Sequence, residues 1–374
     1  MSELRFMTAG ESHGSTLTAI LEGIPAGVKI DLEAVNKDLY RRQQGYGRGG
    51  RMKIESDKVD IVSGVRFGET IGSPITLIVK NRDWENWQDR MSAFGEPVGS
   101  KVTAVRPGHA DLTGVIKYNR DDARDILERS SARETTMRVA VGGICKEFLK
   151  HCGISISSKV TKIGGVENNV ECIMQNAELI SNEIKAKIDE AKSKGDTLGG
   201  IFEVTVQGVP AGLGSHIQWD RKLDAKLAMA IMSIQAIKGV EIGAGFECAN
   251  LPGSQVHDEI FYNSEEDKIC RKTNRAGGLE GGMSNGEDIV IRAVMKPIPT
   301  LMTPLKTIDI ATKKAVLASK ERSDTCAVEA AAVVGEAMTA FVIAQAMIDK
   351  FGGDSISDVI TFIESYKSKN KYLL

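Results

Sequence analysis

Two of the chain's five histidines lie in glycine-containing turns, where an imidazole could take part in proton transfer. His13 is the fourth residue of GESHG (10–14), and His109 is the fourth residue of RPGHAD (106–111). Such turns leave the imidazole partly exposed and backbone N–H groups uncommitted. This placement suits acid–base work next to an anion better than it suits packing in a core. Taken singly, each histidine could equally be a loop residue without a chemical role.

Basic side chains are concentrated around the same two turns. Those that follow the first turn or accompany the second are Arg41, Arg42, Arg48, Arg51, Lys53, Arg106, Arg129, Arg133 and Arg138. A planar guanidinium group can bind two oxygens of a phosphate or carboxylate at once. Several such groups with two histidines in one cleft predict a small polyanionic substrate and acid–base chemistry on it. A competing interpretation is that the run 41–53 binds RNA.

The composition is that of an ordinary globular protein, with 374 residues of which 42% are hydrophobic and 26% charged. A net charge of −2 argues against a general binder of nucleic acid or of membrane surfaces. The N-terminus has no basic stretch followed by an apolar run, so we expect no secretion signal and a cytoplasmic protein. The six cysteines show neither a C-x-x-C pair nor zinc-ligand spacing, so we expect reduced thiols and no metal site.

Apolar periodicity and capping residues, with acids at the start and lysines at the end of one further stretch, predict five helices. One begins after Asp31, one runs from Asp220 to Gly239, one ends at Gly195, one spans about 121–150, and one fills 326–348. The last stretch is long enough to cross a membrane, but two glutamates and a glutamine interrupt it. We therefore predict that it is a buried helix of the protein core.

Segments with alternating or β-branched character predict strands. They are 16–21, 59–65, 74–79, 154–160, 200–209 and 288–295. Several follow one another without an intervening helix, which favours largely antiparallel sheets and the α+β class over a doubly wound sheet. The sequence shows neither an internal repeat nor a low-complexity linker, so we expect one domain over 1–374.

The second half of the chain adds three loops that could form part of a site. The loop 277–286 has five glycines, which permit close approach to a ligand, but it matches no nucleotide-binding fingerprint. The segment 296–300, KPIPT, is stiffened by two prolines and could lie along a flat ring or simply leave the sheet. Asp324 or Thr325 could cap the helix that follows, or Asp324 could be a carboxylate beside Arg322 that accepts a proton.

Seven segments, taken together and in order, resemble the signature segments of the chorismate synthase family. They are GESHG (10–14), GYGRGGRM (45–52), RPGHAD (106–111), RSSARETTMRVAVGG (129–143), GGLEGGMSNGEDI (277–289), KPIPT (296–300) and RSDTCAV (322–328). The resemblance implies a lyase that converts 5-enolpyruvylshikimate 3-phosphate to chorismate and phosphate by a 1,4-anti elimination. It also implies a requirement for reduced FMN, although the reaction has no net redox change. A substrate with one phosphate and two carboxylates fits a cleft rich in arginine.

The resemblance implies roles for particular residues. His13 would protonate the departing phosphate, and His109 would protonate or neutralise the reduced flavin near its N1. Asp324, working with Ser12, would assist proton removal through the flavin N5. The substrate-anion ligands would be Arg42, Arg48, Arg51, Arg106 and Arg133. The flavin contacts would be Arg129, Ser130, Ser131, Gln235, Ala236, Gly281, Lys296, Pro297, Ile298, Pro299, Thr300 and Arg322.

The resemblance further implies an architecture and an assembly. We expect a layered β-α-β sandwich with helices between largely antiparallel sheets, assembled as a homotetramer. Some family members have their own NADPH-dependent flavin reductase activity and are longer; this chain lacks an evident extra segment, so we expect an external flavin reductase. The segment 80–100, with Trp84 and Trp87, matches no motif and could be a mobile lid or an interface.

Two other functions stay open at this point. A non-catalytic regulator that binds flavin or a phosphorylated metabolite would keep the arginines but would need neither His13 nor His109. An RNA-binding protein would use the 41–53 loop, and its affinity would fall steeply with salt.

Overall fold

The computed structural model describes residues 4–49, 55–169, 180–265, 267–321 and 323–370. Its α-helices are α1 (Leu32–Gln43), α2 (Asp111–Tyr118), α3 (Arg124–Ser130), α4 (Thr135–His151), α5 (Asn182–Ser193), α6 (Leu223–Met232), α7 (Gly253–Val256), α8 (Val328–Phe351) and α9 (Ile356–Lys369).

The strands divide into two main sheets and several short hairpins. The strands are β1 (Arg5–Ala9), β2 (Thr16–Glu22), β3 (Asp60–Ser63), β4 (Val65–Arg66), β5 (Glu69–Thr70), β6 (Ile75–Lys80), β7 (Ser155–Ile163), β8 (Val166–Glu167), β9 (Gly200–Gln207), β10 (Ile237–Ile242), β11 (Ile260–Asn263), β12 (Lys268–Arg271), β13 (Leu279–Glu280), β14 (Met283–Ser284), β15 (Ile289–Met295), β16 (Lys306–Ile308) and β17 (Ala315–Leu317).

Both main sheets are antiparallel throughout their paired strands. One has the order β1-β2-β6-β3 and the other has the order β10-β15-β9-β7-β8. Helix α4 packs on the first sheet through β2 and β6, and α8 packs on the second through β7 and β9. The helices therefore lie between two antiparallel sheets, and the predicted α+β sandwich is confirmed.

Close contact between α4 and α8 holds the two halves of the sandwich together. A Cβ at Gly142 of α4 would lie 2.4 Å from both Cα and Cβ of Ala337 in α8, so only glycine allows this approach. Helix α8 is long and apolar enough to cross a membrane, but 89% of its most apolar window is buried inside the protein. The prediction of a buried core helix in this stretch is confirmed.

Helix α1 begins where its sequence predicts. The Asp31 carboxylate accepts hydrogen bonds from the backbone N–H groups of Glu33 at 3.0 Å and Ala34 at 3.2 Å, which satisfies two of the donors left free at a helix start. Val35 and Leu39 are buried, as expected for the inner face. The helix carries Arg41 and Arg42 in its last turn.

Two of the predicted helices are wrong in extent. The helix predicted over about 121–150 is broken at Ser131, which has extended backbone angles (φ −63°, ψ 140°) and separates α3 from α4. The helix predicted from Asp220 to Gly239 begins only at Leu223 and ends at Met232. Its expected last turn forms β10 instead, because that segment pairs with β15; such tertiary pairing overrides local helix preference.

Candidate active site

The His13 turn connects β1 to β2, and its shape depends on one glycine. Gly10 has φ +105°, and a Cβ there would lie 2.4 Å from the Thr16 carbonyl oxygen. Only glycine adopts this conformation without strain. The backbone N–H of Ser12 donates to the Glu128 carbonyl at 3.0 Å, which fixes the turn to the end of α3.

The His13 imidazole is held by a buried carboxylate. Its Nδ1 lies 2.9 Å from Oε1 and 3.1 Å from Oε2 of Glu128, and the His13 backbone N–H donates to Oε2 at 2.8 Å. Burial by itself would raise the pKa of Glu128, but the hydrogen bonds and charge of His13, with Arg124, lower it below its ordinary value. An ionised carboxylate can only accept hydrogen bonds, so Nδ1 carries a proton and Nε2 is left for other chemistry.

The His109 imidazole has a similar arrangement on the turn before α2. Its Nδ1 lies 2.5 Å from Oδ1 of Asp111, a fully buried residue in the first turn of that helix. Arg106 donates to the same carboxylate from Nε at 2.8 Å and from Nη2 at 3.1 Å. Burial would raise the pKa of Asp111, but His109 and Arg106 together lower it well below its usual range.

Two predicted substrate-anion ligands form a buried cluster with one aspartate. Arg133 Nη1 lies 2.7 Å and 2.8 Å from the two oxygens of Asp57, and Arg42 Nη2 lies 2.7 Å from Oδ2. All three residues are buried. Burial would raise the pKa of Asp57, whereas Arg42 and Arg133 lower it, and the net pKa lies below its ordinary value. The Arg42 Nε is buried and has no hydrogen-bond partner among the described residues, which leaves one donor for an anion.

One amide side chain joins this cluster to the His13 turn. Asn81 Nδ2 donates to the carbonyl oxygens of Gly14 at 2.7 Å and Glu11 at 3.2 Å, and its Oδ1 accepts from Arg133 Nε at 2.9 Å. The break between α3 and α4 supplies a second connection. The Ser131 hydroxyl accepts from Ser12 Oγ at 3.1 Å and from the Arg133 backbone N–H at 3.3 Å.

Asp324 lies against the arginine-bearing loop that follows α1. Its Oδ1 accepts from the Gly49 backbone N–H at 2.6 Å, and its Oδ2 is 3.4 Å from Arg48 Nε. The N-terminal cap of α8 is Ala327, with no side-chain capping bond. The alternative that Asp324 or Thr325 caps this helix is therefore wrong, and the carboxylate faces a basic loop instead.

The KPIPT segment lies across the His109 turn. Arg106 Nη1 donates to Thr300 Oγ1 at 3.0 Å, and Lys296 Nζ donates to the Gly108 carbonyl. The Lys296 backbone N–H in turn donates to the Ala236 carbonyl at 2.9 Å. Ala236 has φ +68°, a left-handed conformation that strains any residue except glycine and is concentrated at functional sites.

The other predicted flavin contacts fall into two groups. Arg129 donates to the Thr8 carbonyl at 2.8 Å and the Gly10 carbonyl at 3.1 Å, and Gln235 Nε2 donates to Glu134 at 3.2 Å. Arg129 therefore lies against β1 and the His13 turn, whereas Gln235 reaches β1 through Glu134, which accepts from Thr8 Oγ1 at 2.8 Å. Gly281 lies apart in the turn between β13 and β14, where a Cβ would meet no described atom within 4 Å.

Two predicted residues, Arg51 and Arg322, lie outside the described residues. The structure adds functional candidates that the sequence analysis missed, which are Trp87, Glu128, Asn81, Asp57 and Asp111. Asp111 stands inside the RPGHAD motif and Glu128 directly precedes RSSARE, so motif position was an available signal for these two. The other three are recognisable only from contacts distant in sequence.

Comparison with known proteins gives a consistent result. The family model described as chorismate synthase matches residues 4–348. The chorismate synthase of Syntrophotalea carbinolica is 57% identical, covering 98% of each chain, and that of Geobacter metallireducens is 57% identical, covering 97% of this chain and 98% of its own. A crystal structure of chorismate synthase superposes with a TM-score of 0.77 at 45% identity, covering 99% of this chain and 98% of its own.

Proposed function

Because the chain belongs to the chorismate synthase family, we propose that the site around His13 and His109 carries out that family's elimination. The protein is a carbon–oxygen lyase of the shikimate pathway of aromatic amino acid biosynthesis. It converts 5-enolpyruvylshikimate 3-phosphate to chorismate and phosphate by 1,4-anti elimination. Enzymes of this family depend on a flavin. The assignment of residues to steps, the form of the flavin and the assembly are the proposal.

One observation carries the residue assignment. Two imidazoles each have a carboxylate at Nδ1, and each lies beside a predicted anion-binding arginine: Asn81 joins the His13 turn to Arg133, and His109 shares Asp111 with Arg106. A carboxylate at Nδ1 fixes the ring and leaves Nε2 for proton transfer. Each imidazole is therefore a positioned acid next to an arginine suited to bind phosphate or carboxylate.

The substrate anions would be bound by Arg42, Arg48, Arg106 and Arg133, with Arg51 as a further ligand. Arg42 offers its unpartnered buried Nε. A buried donor without a partner costs free energy, on the order of 1–3 kcal/mol, that an anion oxygen would recover. The Asp57 carboxylate holds the guanidinium groups of Arg42 and Arg133 close together before substrate binds, because its negative charge offsets the repulsion between them.

The acid–base roles follow from the local environments. His13 holds a proton at Nε2 for the departing phosphate oxygen, while Glu128 compensates the charge at Nδ1. His109 is a proton donor beside the Lys296 to Thr300 segment, and Asp111 orients its ring. Asp324, an acceptor next to Arg48, assists removal of the ring proton together with Ser12.

The residues present fit a flavin. Ser130 Oγ and Gln235 Oε1 are buried and have no hydrogen-bond partner among the described residues, as expected for groups that bind a polar ligand. Arg129, Ser130, Ser131, Gln235, Ala236, Gly281, the Lys296 to Thr300 strip and Arg322 would hold reduced FMN. When bound, reduced FMN supplies an electron-rich ring that donates electron density and recovers it without net redox change. The cationic side chains of the site would stabilise its negative charge.

We also propose that the protein works as a cytoplasmic homotetramer of single-domain subunits (1–374) and receives reduced flavin from an external reductase. Met7 and Ile20 pair across β1 and β2 and are 75% and 47% exposed, which leaves apolar surface on the outer face of the first sheet. Burial of this face between subunits would explain it. Sedimentation equilibrium of the parent and of the Met7→Glu, Ile20→Glu double variant tests this: we expect a tetramer and a smaller species, respectively, and equal masses would contradict it.

An anaerobic assay tests the proposed roles. Protein is mixed with 5-enolpyruvylshikimate 3-phosphate and FMN reduced by dithionite, and chorismate and phosphate are followed together, with an NADPH-only arm in parallel. We expect equal amounts of the two products in the first arm and none in the second. His13→Ala and His109→Ala should each lose at least about 100-fold in turnover. His151→Asn, at the exposed C-terminal end of α4, should stay within a few-fold of the parent.

Three outcomes would contradict the proposal. Flavin and substrate binding without chorismate formation would favour a binding protein. A loss in His151→Asn as large as that in His109→Ala would refute the division between catalytic and incidental histidines. Turnover with NADPH alone would refute the external reductase.

A further inference from the structure

A tryptophan from the unassigned 80–100 segment covers the ring of His13. The 3-10 helix Arg82–Asn86 leads directly into Trp87, whose ring centroid lies 4.0 Å from that of His13 with 31° between the planes. The indole is itself fixed, because Trp87 Nε1 donates to Oδ2 of the buried Asp83 at 3.2 Å. The segment that carries Trp87 therefore packs against His13, the candidate acid.

Glu128, the hydrogen-bond partner of His13, is also held in place by its neighbours. Glu128, on α3, binds both the ring Nδ1 and the backbone N–H of His13. Arg124, one helical turn earlier, contacts Glu128 Oε1 at 3.1 Å, and its guanidinium lies 5.0 Å from the Trp87 ring centroid. Arg124 also donates to Glu321 Oε1 at 3.1 Å. Only 12% of the His13 side-chain surface stays exposed.

We propose that Glu128 and Trp87 are positioning residues for His13: Glu128 keeps a proton on Nδ1, Trp87 covers one face of the ring, and Nε2 is the atom that donates to the leaving phosphate. This inference rests on the proposed role of His13 as the acid. In the elimination, the C–O bond to phosphate breaks with its electron pair on oxygen, and the Nε2 proton passes to a phosphate oxygen; the ring C–H bond gives up its proton towards Asp324, and its electron pair completes the new diene. The imidazole is left neutral with its Nδ1–H on Glu128, the tautomer that Glu128 already favours.

The charges around the ring determine how its protonation responds to substitution. They are Glu128 and Arg124 on α3, Glu321 beyond Arg124, Asp83 at the indole N–H of Trp87, and Arg90, whose guanidinium lies 5.5 Å from the Trp87 ring centroid. Of these, Glu128 alone is hydrogen-bonded to the ring among the described residues. Its carboxylate therefore stabilises the imidazolium form more than any other neighbour.

Steady-state kinetics provide the first test. Glu128→Gln should lower kcat about 10- to 100-fold with KM within a few-fold, because the neutral amide no longer stabilises the proton-donating form. Asp125→Asn is the matched control on the same helix, since Asp125 pairs only with the exposed Arg120 among its described partners. Trp87→Leu should lower kcat about 10-fold, Trp87→Phe should restore most of it, and Trp84→Leu should not lower it. Equal kcat in Glu128→Gln and Asp125→Asn would overturn the inference.

A fluorescence titration provides a second test that does not depend on turnover. The chain has three tryptophans, so Trp84→Phe with Trp219→Phe leaves Trp87 as the only indole. An imidazolium stacked on this indole quenches it more than a neutral imidazole does, and the emission should fall as the pH is lowered. His13→Gln should abolish the change, and Glu128→Gln should alter it, because the ring then loses its hydrogen-bonded carboxylate. If the lyase roles fail, this titration still reports on the positioning.

Two results of the titration would overturn the inference. One is a pH response that survives His13→Gln, since the indole would then report on another group. The other is a pH response in Glu128→Gln that is identical to the parent's, since Glu128 would then have no influence on the ring.

Discussion

Arg41 and Arg42, adjacent at the end of α1, belong to two different charge clusters, each built around a buried carboxylate. Arg41 lies between α1, α4 and α8, where it donates to Glu336 at 2.7 Å and 2.9 Å; Lys146 donates to the same glutamate at 2.6 Å. Arg42 lies in the candidate site with Asp57 and Arg133. The two arginines have the same side chain and are neighbours in sequence, so only their surroundings distinguish their roles. The frame cluster consists of Asp38, Arg41, Lys146 and Glu336, and the site cluster consists of Arg42, Asp57 and Arg133.

The clusters differ in how completely their polar groups are satisfied. In the frame cluster, Asp38 also binds both cations, and Ser158 donates to Glu336 at 2.6 Å. In the site cluster, Arg42 Nε stays buried without a described partner, and Asn81 connects the cluster to the His13 turn. A closed network stabilises the fold, whereas an incompletely satisfied one can bind a ligand. Substitutions in the two clusters should therefore separate turnover from stability.

The largest expected contrast is in activity. Arg42→Lys should lower kcat/KM by on the order of 100-fold, because lysine cannot reproduce the planar fork that binds an anion and Asp57 together. Arg41→Lys should leave kcat/KM of the folded protein within a few-fold. The measurement is anaerobic chorismate formation with dithionite-reduced FMN for both variants. A comparable loss in the two would erase the distinction between the clusters.

The next contrast is in stability. Glu336→Gln should lower the free energy of unfolding by about 3 kcal/mol, because the half-buried Arg41 and Lys146 then lose the buried carboxylate that they share. Urea unfolding at one protein concentration measures this. Glu190→Gln on α5, where the carboxylate is exposed and pairs with Lys187 and Lys194, serves as the control and should change stability by less than about 1 kcal/mol. Equal effects would show that Glu336 contributes no more than a surface ion pair.

The same glutamate gives the frame cluster a defined pH dependence. Burial would raise the pKa of Glu336, but Lys146 and Arg41 outweigh it and lower the pKa from 4.5 to about 2. A carboxylate with a lowered pKa in the folded state stabilises the fold above its unfolded pKa and loses that contribution as the pH falls towards the folded value. The stability difference between parent and Glu336→Gln should thus be full above about pH 5 and shrink towards pH 2. A difference that stays constant over this range would contradict the assignment.

The smallest expected effect is on flavin affinity. Ser130→Ala should raise the dissociation constant of FMN about 5-fold, the value of one ordinary hydrogen bond, because the buried Ser130 hydroxyl would lose its ligand partner. Ser193→Ala at the end of α5 is the control, since its hydroxyl already donates to the Glu190 carbonyl. Equal FMN affinity of the two variants, measured by fluorescence quenching, would remove Ser130 from the flavin site.

Local sequence signals predicted the core helix, the antiparallel strands and the two histidine turns. They could not predict which charges meet, because the Glu128 contact to His13 spans 115 residues and the Arg41 contact to Glu336 spans 295. Acids at the start and lysines at the end of 121–150 favoured one continuous helix there. At the break, Ser131 accepts from the Arg133 backbone N–H, a local capping contact, and from Ser12 Oγ, a contact that no local pattern encodes.

The most direct test of the central claim, that the cluster linked to the His13 turn binds the substrate anions, is calorimetric titration with 5-enolpyruvylshikimate 3-phosphate in the presence of oxidised FMN. Arg133→Lys keeps the charge but loses the fork, and its affinity should fall at least about 10-fold relative to the parent. Arg120→Lys, paired with Asp125 at the surface, should bind like the parent. Equal affinities of Arg133→Lys and the parent would show that the substrate binds elsewhere.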